Sequence, residues 1–110
     1  MENLQKYQPS KDYYPLPKHQ EYKVDYYFNN RSRPIFLFEV PSNTSARLTA
    51  ISCLKFQNEA IPFRSAIVLE DLEILSRKDQ ARLMSIADKQ FPSLTDFQEN
   101  ALTYFEREYK

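Results

Sequence analysis

The chain has 110 residues, with 15 Lys+Arg against 15 Asp+Glu, one His, one Cys, no Trp and no Gly. Its 42% apolar and 27% charged content is that of one soluble globular domain with a modest core. A single Cys excludes an internal disulfide and a multi-Cys zinc site, no apolar run reaches the ~18 residues of a membrane span, and Met1–Ser10 lacks the apolar stretch of a secretory signal, so a reducing, cytoplasmic setting is expected.

Residues 1–20 carry Pro9, Pro15 and Pro17 among Tyr7, Tyr13 and Tyr14. Prolines at this spacing break helices and favour extended backbone. The segment reads as an arm, either loosely held or docked through its tyrosines, ahead of a single α/β domain over residues 21–110. Glu21–Phe28 (EYKVDYYF) alternates, with Tyr22, Val24, Tyr26 and Phe28 on one face and Lys23, Asp25 and Tyr27 on the other. Asn29-Asn30 offers a glycine-free turn, since Asn tolerates left-handed backbone. Pro34–Val40 is an almost unbroken apolar run, the pattern of a strand covered on both faces.

Ser42 or Asn43 caps a helix over Thr44–Gln57, with Leu48, Ile51 and Leu54 expected on its buried face. Arg64–Glu70 reads as a second buried strand, parallel to the previous one because a helix joins them. Two more helices begin at Ser76-Arg77-Lys78-Asp79 and Ser93-Leu94-Thr95-Asp96, both with capping-box spacing, and Pro92 separates them. The expected order is β-β-α-β-α-α: an α/β or α+β domain with a small mixed sheet, an antiparallel hairpin plus one parallel strand, and three helices.

The missing glycines exclude a P-loop, a dinucleotide-binding turn and a nucleophile elbow, each of which needs backbone that only Gly adopts freely. Charge is uneven. Residues 1–55 hold eight basic and five acidic groups, and residues 56–110 seven basic and ten acidic. Nucleic-acid contact is therefore confined to the N-terminal half, where Arg31, Arg33 and Arg47 are its candidates.

Asp25 and Glu39 are two carboxylates on adjacent expected strands, an arrangement able to hold Mg²⁺ or Mn²⁺. This pattern resembles the catalytic half of the PD-(D/E)XK restriction-endonuclease-like superfamily. The resemblance implies metal binding by Asp25 and Glu39, but it places Pro41 where the family carries lysine. Lys23 or Arg47 would have to supply the basic group. The plainer alternative is that Asp25 pairs with Lys23, and Glu39 with Arg47. The resemblance also implies a helix and a strand before the Asp25 strand, which the proline-bearing residues 1–21 are not expected to supply.

A narrower resemblance rests on Val24-Asp25-Tyr26, Phe36-Leu37-Phe38, Ala46-Arg47-Leu48, Pro62-Phe63-Arg64-Ser65 and Asp88-Lys89-Gln90-Phe91-Pro92-Ser93-Leu94. Residues 22–100 are similar to a bacterial and mobile-element family of unassigned activity, usually the C-terminal half of a two-domain protein. It implies a prokaryotic or phage origin and supplies no biochemical activity; an accessory role, such as interference with a host defence complex, would suit the chain's size and tyrosine-rich arm. A shortened core would leave Glu21–Phe28 at a sheet edge. Tyr22, Tyr26, Tyr27, Arg31 and Arg33 would then bind a protein partner or a second copy, together with the arm. Glu70-Asp71-x-Glu73 reads as a solvated loop, Cys53 as a core residue, and His19 as lacking a partner.

The function expected is that of a non-enzymatic binding module with a degenerate nuclease-like core and no cofactor. The alternative is a metal-dependent nuclease.

Overall fold

The computed structural model describes residues 2–30 and 33–109. A 3-10 helix over Glu2–Tyr7 precedes β1 (Ser10–Tyr13), β2 (Val24–Phe28), β3 (Ile35–Val40), α1 (Asn43–Asn58), β4 (Arg64–Leu69), a 3-10 turn at Leu72–Ile74, α2 (Arg77–Ile86), β5 (Lys89–Phe91) and α3 (Leu94–Glu108). The five strands form one mixed sheet in the order β1-β2-β3-β4-β5. β1, β2 and β3 pair antiparallel, while β3, β4 and β5 run parallel. The mixed α/β class, the antiparallel hairpin, the parallel pair and the three helices stand as expected. β1 and β5 are additional strands.

The sheet divides two cores. Phe36, Phe38 and Val40 of β3 and Ile67 and Leu69 of β4 face Cys53 and Phe56 of α1 and Leu83 of α2. Ile35 and Leu37 of β3 and Ala66 and Val68 of β4 face Phe97, Ala101 and Phe105 of α3 and Leu4 of the first 3-10 helix. Burial on both faces is why β3 and β4 read as continuous apolar runs. Each helix starts on a serine: Ser42, Ser76 and Ser93 accept the N–H of Ser45, Asp79 and Asp96.

Three details depart from the sequence reading. First, residues 2–20 follow the docked reading of the arm and in addition carry a short helix and a strand. Leu4 is fully buried, Tyr7 lies 4.5 Å from the Tyr109 ring, and Tyr13 stacks at 4.2 Å on Tyr27. The helix fits because it ends before Pro9, and the strand fits between Pro9 and Pro15, which spare its hydrogen-bonding positions.

Second, β2 does not alternate throughout. Val24 lies in the α1-side core with Tyr27, whereas Tyr26 and Phe28 lie on the α3 side. The ladder to β3 stops at Tyr26↔Leu37, so the face switches at Asp25.

Third, among the described residues the left-handed positions are Gln8, Asp12 and Ala60, and not Asn29 or Asn30. Ala60 closes α1: its N–H donates to the Gln57 carbonyl, and the Ile61 N–H to the Phe56 carbonyl, both at 3.0 Å. This is a Schellman ending with alanine where glycine is usual.

Candidate functional site

Asp25 and Glu39 meet through the main chain of Glu39. The Glu39 main-chain N–H donates to Asp25 Oδ2 at 2.8 Å, taking the place of the ladder bond lost at that point. Asp25 Oδ1 lies 3.5 Å from Lys23 Nζ, which also reaches Asp12 Oδ1 at 3.3 Å. Partial burial disfavours the charged ammonium, yet its hydrogen bonds and charge contacts with Asp12 and Asp25 outweigh this, and the Lys23 pKa is raised. Lys23 is thus a fixed cation joining β1 to β2.

The Glu39 side chain is exposed and lines a small cavity of about 230 Å³ with Pro41, Glu70 and Leu94, at the carboxyl ends of β3 and β4. Among the described residues, no group of three or more His, Cys, Asp or Glu is placed to hold a metal ion.

Arg47 pairs with Asp79 rather than with Glu39. Its Nε lies 3.4 Å from Asp79 Oδ1, and Arg82 donates to the same oxygen at 2.8 Å. Asp79 is only 1% exposed, and Ser76 Oγ donates to its second oxygen. Burial raises the Asp79 pKa, but the bonds from Arg47, Ser76 and Arg82 more than offset that, leaving the carboxyl below its ordinary value near 3.8. α1 and α2 are pinned together here, and again where the Ser76 N–H donates to Asn43 Oδ1 at 2.9 Å.

The expected binding tyrosines mostly serve the fold. Tyr22 packs edge-on to Phe56, Tyr27 stacks on Tyr13, and Tyr26 packs against the α3-side core. Arg33 donates to the Phe63 carbonyl at 2.7 Å, and Arg31 lies outside the described residues.

The edge expected at Glu21–Phe28 is covered, because β1 pairs with β2 from Ser10↔Tyr27 to Tyr13↔Val24. β1 itself is a poor edge for a partner strand. It is four residues long, carries Lys11 and Asp12, turns left-handed at Asp12, and sits between prolines. These features are the usual protection against edge pairing.

Cys53 is buried, and desolvation pushes its thiol up to about 12, so it is no nucleophile at neutral pH. Asp71 caps the Leu72–Ile74 turn by accepting the Glu73 N–H, and His19 lies on the surface 3.5 Å from Glu21.

The face that sequence reasoning missed is the outer side of α1. Leu48, Ile51 and Leu54 are 55%, 54% and 51% exposed, and Met84 of α2 is 71% exposed. The buried side of α1 is Ala46, Ala50, Cys53 and Phe56 instead. Small side chains let the helix lie close on the sheet, and the larger ones turn outward. Between the helices runs a groove of about 450 Å³, lined by Ala50, Ile51, Leu54 and Ile86 with Arg47 and Arg82 at its side. A clue was present in the sequence, because Ala46-Ala50-Cys53 also has helical spacing. A helix with two apolar stripes has one to spare.

No described helix is long and apolar enough to cross a membrane. Comparison with protein-family models, with curated proteins and with solved structures finds no match to this chain.

Proposed function

We propose that this chain is a non-enzymatic protein-binding module and that its contact surface is the α1–α2 face. The observation that carries the reading is the stripe of Leu48, Ile51 and Leu54, each more than half exposed beside the apolar groove. Single exposed apolar residues are ordinary, but a contiguous patch beside a groove marks interaction sites. The fixed positions of Arg47 and Arg82 add directional donors at its side. An accessory role of bacterial or phage origin, exerted by occupying another protein's surface, would suit a chain of this size.

The test is photo-crosslinking in cells, with a benzophenone side chain at position 51 and, as control, at exposed position 99 on α3. The reading expects a protein adduct from position 51 and none from position 99.

Metal-dependent phosphodiester hydrolysis is the second reading. One observation favours it: a short 3-10 helix over Glu2–Tyr7 and β1 precede the Asp25 strand, where the endonuclease-like resemblance implies a helix and a strand. Against it stand Pro41 at the lysine position and the engagement of both Asp25 oxygens by Glu39 N–H and Lys23. Cleavage of DNA or RNA with Mg²⁺ or Mn²⁺, lost in Asp25→Ala/Glu39→Ala, would establish the nuclease and displace the binding module.

A further inference from the structure

The α1–α2 face is basic as well as apolar. α1 contains no acidic residue, and α2 contains only Asp79, which is buried. Against that one carboxylate stand Arg47, Arg77, Lys78 and Arg82, while Lys55 is matched by Glu59 at 3.1 Å. The chain as a whole is neutral, so this concentration of cations is a local property of the two helices.

Arg47 uses only Nε on Asp79, and Arg82 only one terminal nitrogen. Their other guanidinium N–H groups make no hydrogen bond to the described residues. One carboxylate shared by two guanidiniums leaves the pair with net positive charge, held in place at the groove.

From this we propose that the groove's occupant is an acidic amphipathic helix of another protein. Its apolar stripe would lie on Ile51, Leu54 and Ala50, and its carboxylates would meet Arg47 and Arg82. The inference rests on the protein-binding reading above and deepens it.

Charge decides against a second copy, because self-association through this groove would bring Arg47 and Arg82 of both copies together with no exposed acid on α1 or α2 to answer them. A concave groove between helices suits a helix laid along it. Lipid insertion relies on cationic side chains that are free to snorkel, whereas these two are tethered to a buried carboxylate. Nucleic acid would use the cations and leave the Leu48–Leu54 stripe bare.

The test uses a stapled helical peptide of about five turns, with leucines at helical spacing and flanking glutamates. An otherwise identical peptide carries lysines in place of the glutamates. Binding to the full chain is followed by amide chemical shifts, with phosphatidylglycerol vesicles and a DNA duplex as further arms. The expected result is saturable binding of the Glu peptide, with shifts at Ala50, Ile51, Leu54 and Ile86. Affinity should fall about tenfold or more with the Lys peptide, and likewise with Ile51→Ser/Leu54→Ser.

Changing the probe's charge leaves Asp79 with both counter-ions, so the comparison does not depend on an arginine variant that folds poorly. Equal affinity for the two peptides, no binding of either, or binding of vesicles or DNA in their place would overturn the proposal. A cellular crosslink from position 51 to a basic or non-helical segment would overturn it while leaving the protein-binding reading intact.

Discussion

The Asp25 carboxylate accepts the Glu39 main-chain N–H at 2.8 Å, with Lys23 3.5 Å from its other oxygen. The two residues that spacing alone would assign to one metal ion are joined carboxylate to backbone. Asp25 thereby replaces a strand-ladder partner at the point where β2 switches faces. Opposite it, Asp12 has left-handed backbone and reaches the same lysine. The Lys23–Asp12–Asp25 cluster fastens the N-terminal strand to the sheet.

The two carboxylates differ in what they contribute to stability. Asp25→Ala removes the acceptor of the Glu39 N–H and a partner of Lys23, and should lower unfolding free energy by about 0.5–1.5 kcal/mol. Glu39→Ala removes an exposed side chain and should stay within about 0.5 kcal/mol of wild type. Urea unfolding of both variants, with and without Mg²⁺, checks this. A melting temperature raised by Mg²⁺ in the wild type and not in Glu39→Ala would support the metal reading.

The buried Asp79 gives stability a defined pH dependence. Its folded pKa lies below the ordinary value, so the unfolded chain binds the proton more readily. The stabilisation is complete above the unfolded value and is lost as pH falls through the lower folded one. The wild-type urea midpoint should therefore decline below about pH 4 more steeply than that of Asp79→Asn. Parallel curves for the two proteins would contradict the assignment.

Leucines on the two sides of the α1–α2 pair should respond differently to the same truncation. Leu83 is fully buried, whereas Leu54 is half exposed. Leu83→Ala should cost about 2–5 kcal/mol and Leu54→Ala at most about 0.5 kcal/mol. A large loss at Leu54, measured by chemical denaturation, would mean that the outer face of α1 is not free.

Ala60 has φ 58 at the end of α1, in a chain without glycine. An L-residue with a Cβ strains there by roughly 1–2 kcal/mol, and glycine does not. Ala60→Gly should therefore raise stability by about 1 kcal/mol, less the greater entropy of the unfolded glycine chain. A decrease on thermal unfolding would refute the strain.

Much of this architecture was legible because period and capping agree. The runs at Ile35–Val40 and Arg64–Leu69 could only be strands covered on both faces, and the serines before α1, α2 and α3 mark true helix starts. β1 and β5 were not legible. They are four and three residues long, too short for a period, and β1 lies among prolines.

The site was legible only in its members. Lys23 with Asp25 follows from positions two apart in the chain, whereas Arg47 with Asp79 joins residues 32 apart and depends on how α1 meets α2. The orientation of α1 is not legible from residue size alone, because its largest aliphatic residues, Leu48, Ile51 and Leu54, face outward. A helix packed close on a sheet instead favours alanine and cysteine at the contact.

The most direct measurement is the crosslinking comparison between positions 51 and 99 in cells. The account predicts a discrete protein adduct from position 51 that disappears when Leu48→Ser and Leu54→Ser are introduced, with none from position 99. Adducts of equal yield from both positions, or none from position 51, would contradict a binding surface on α1 and α2.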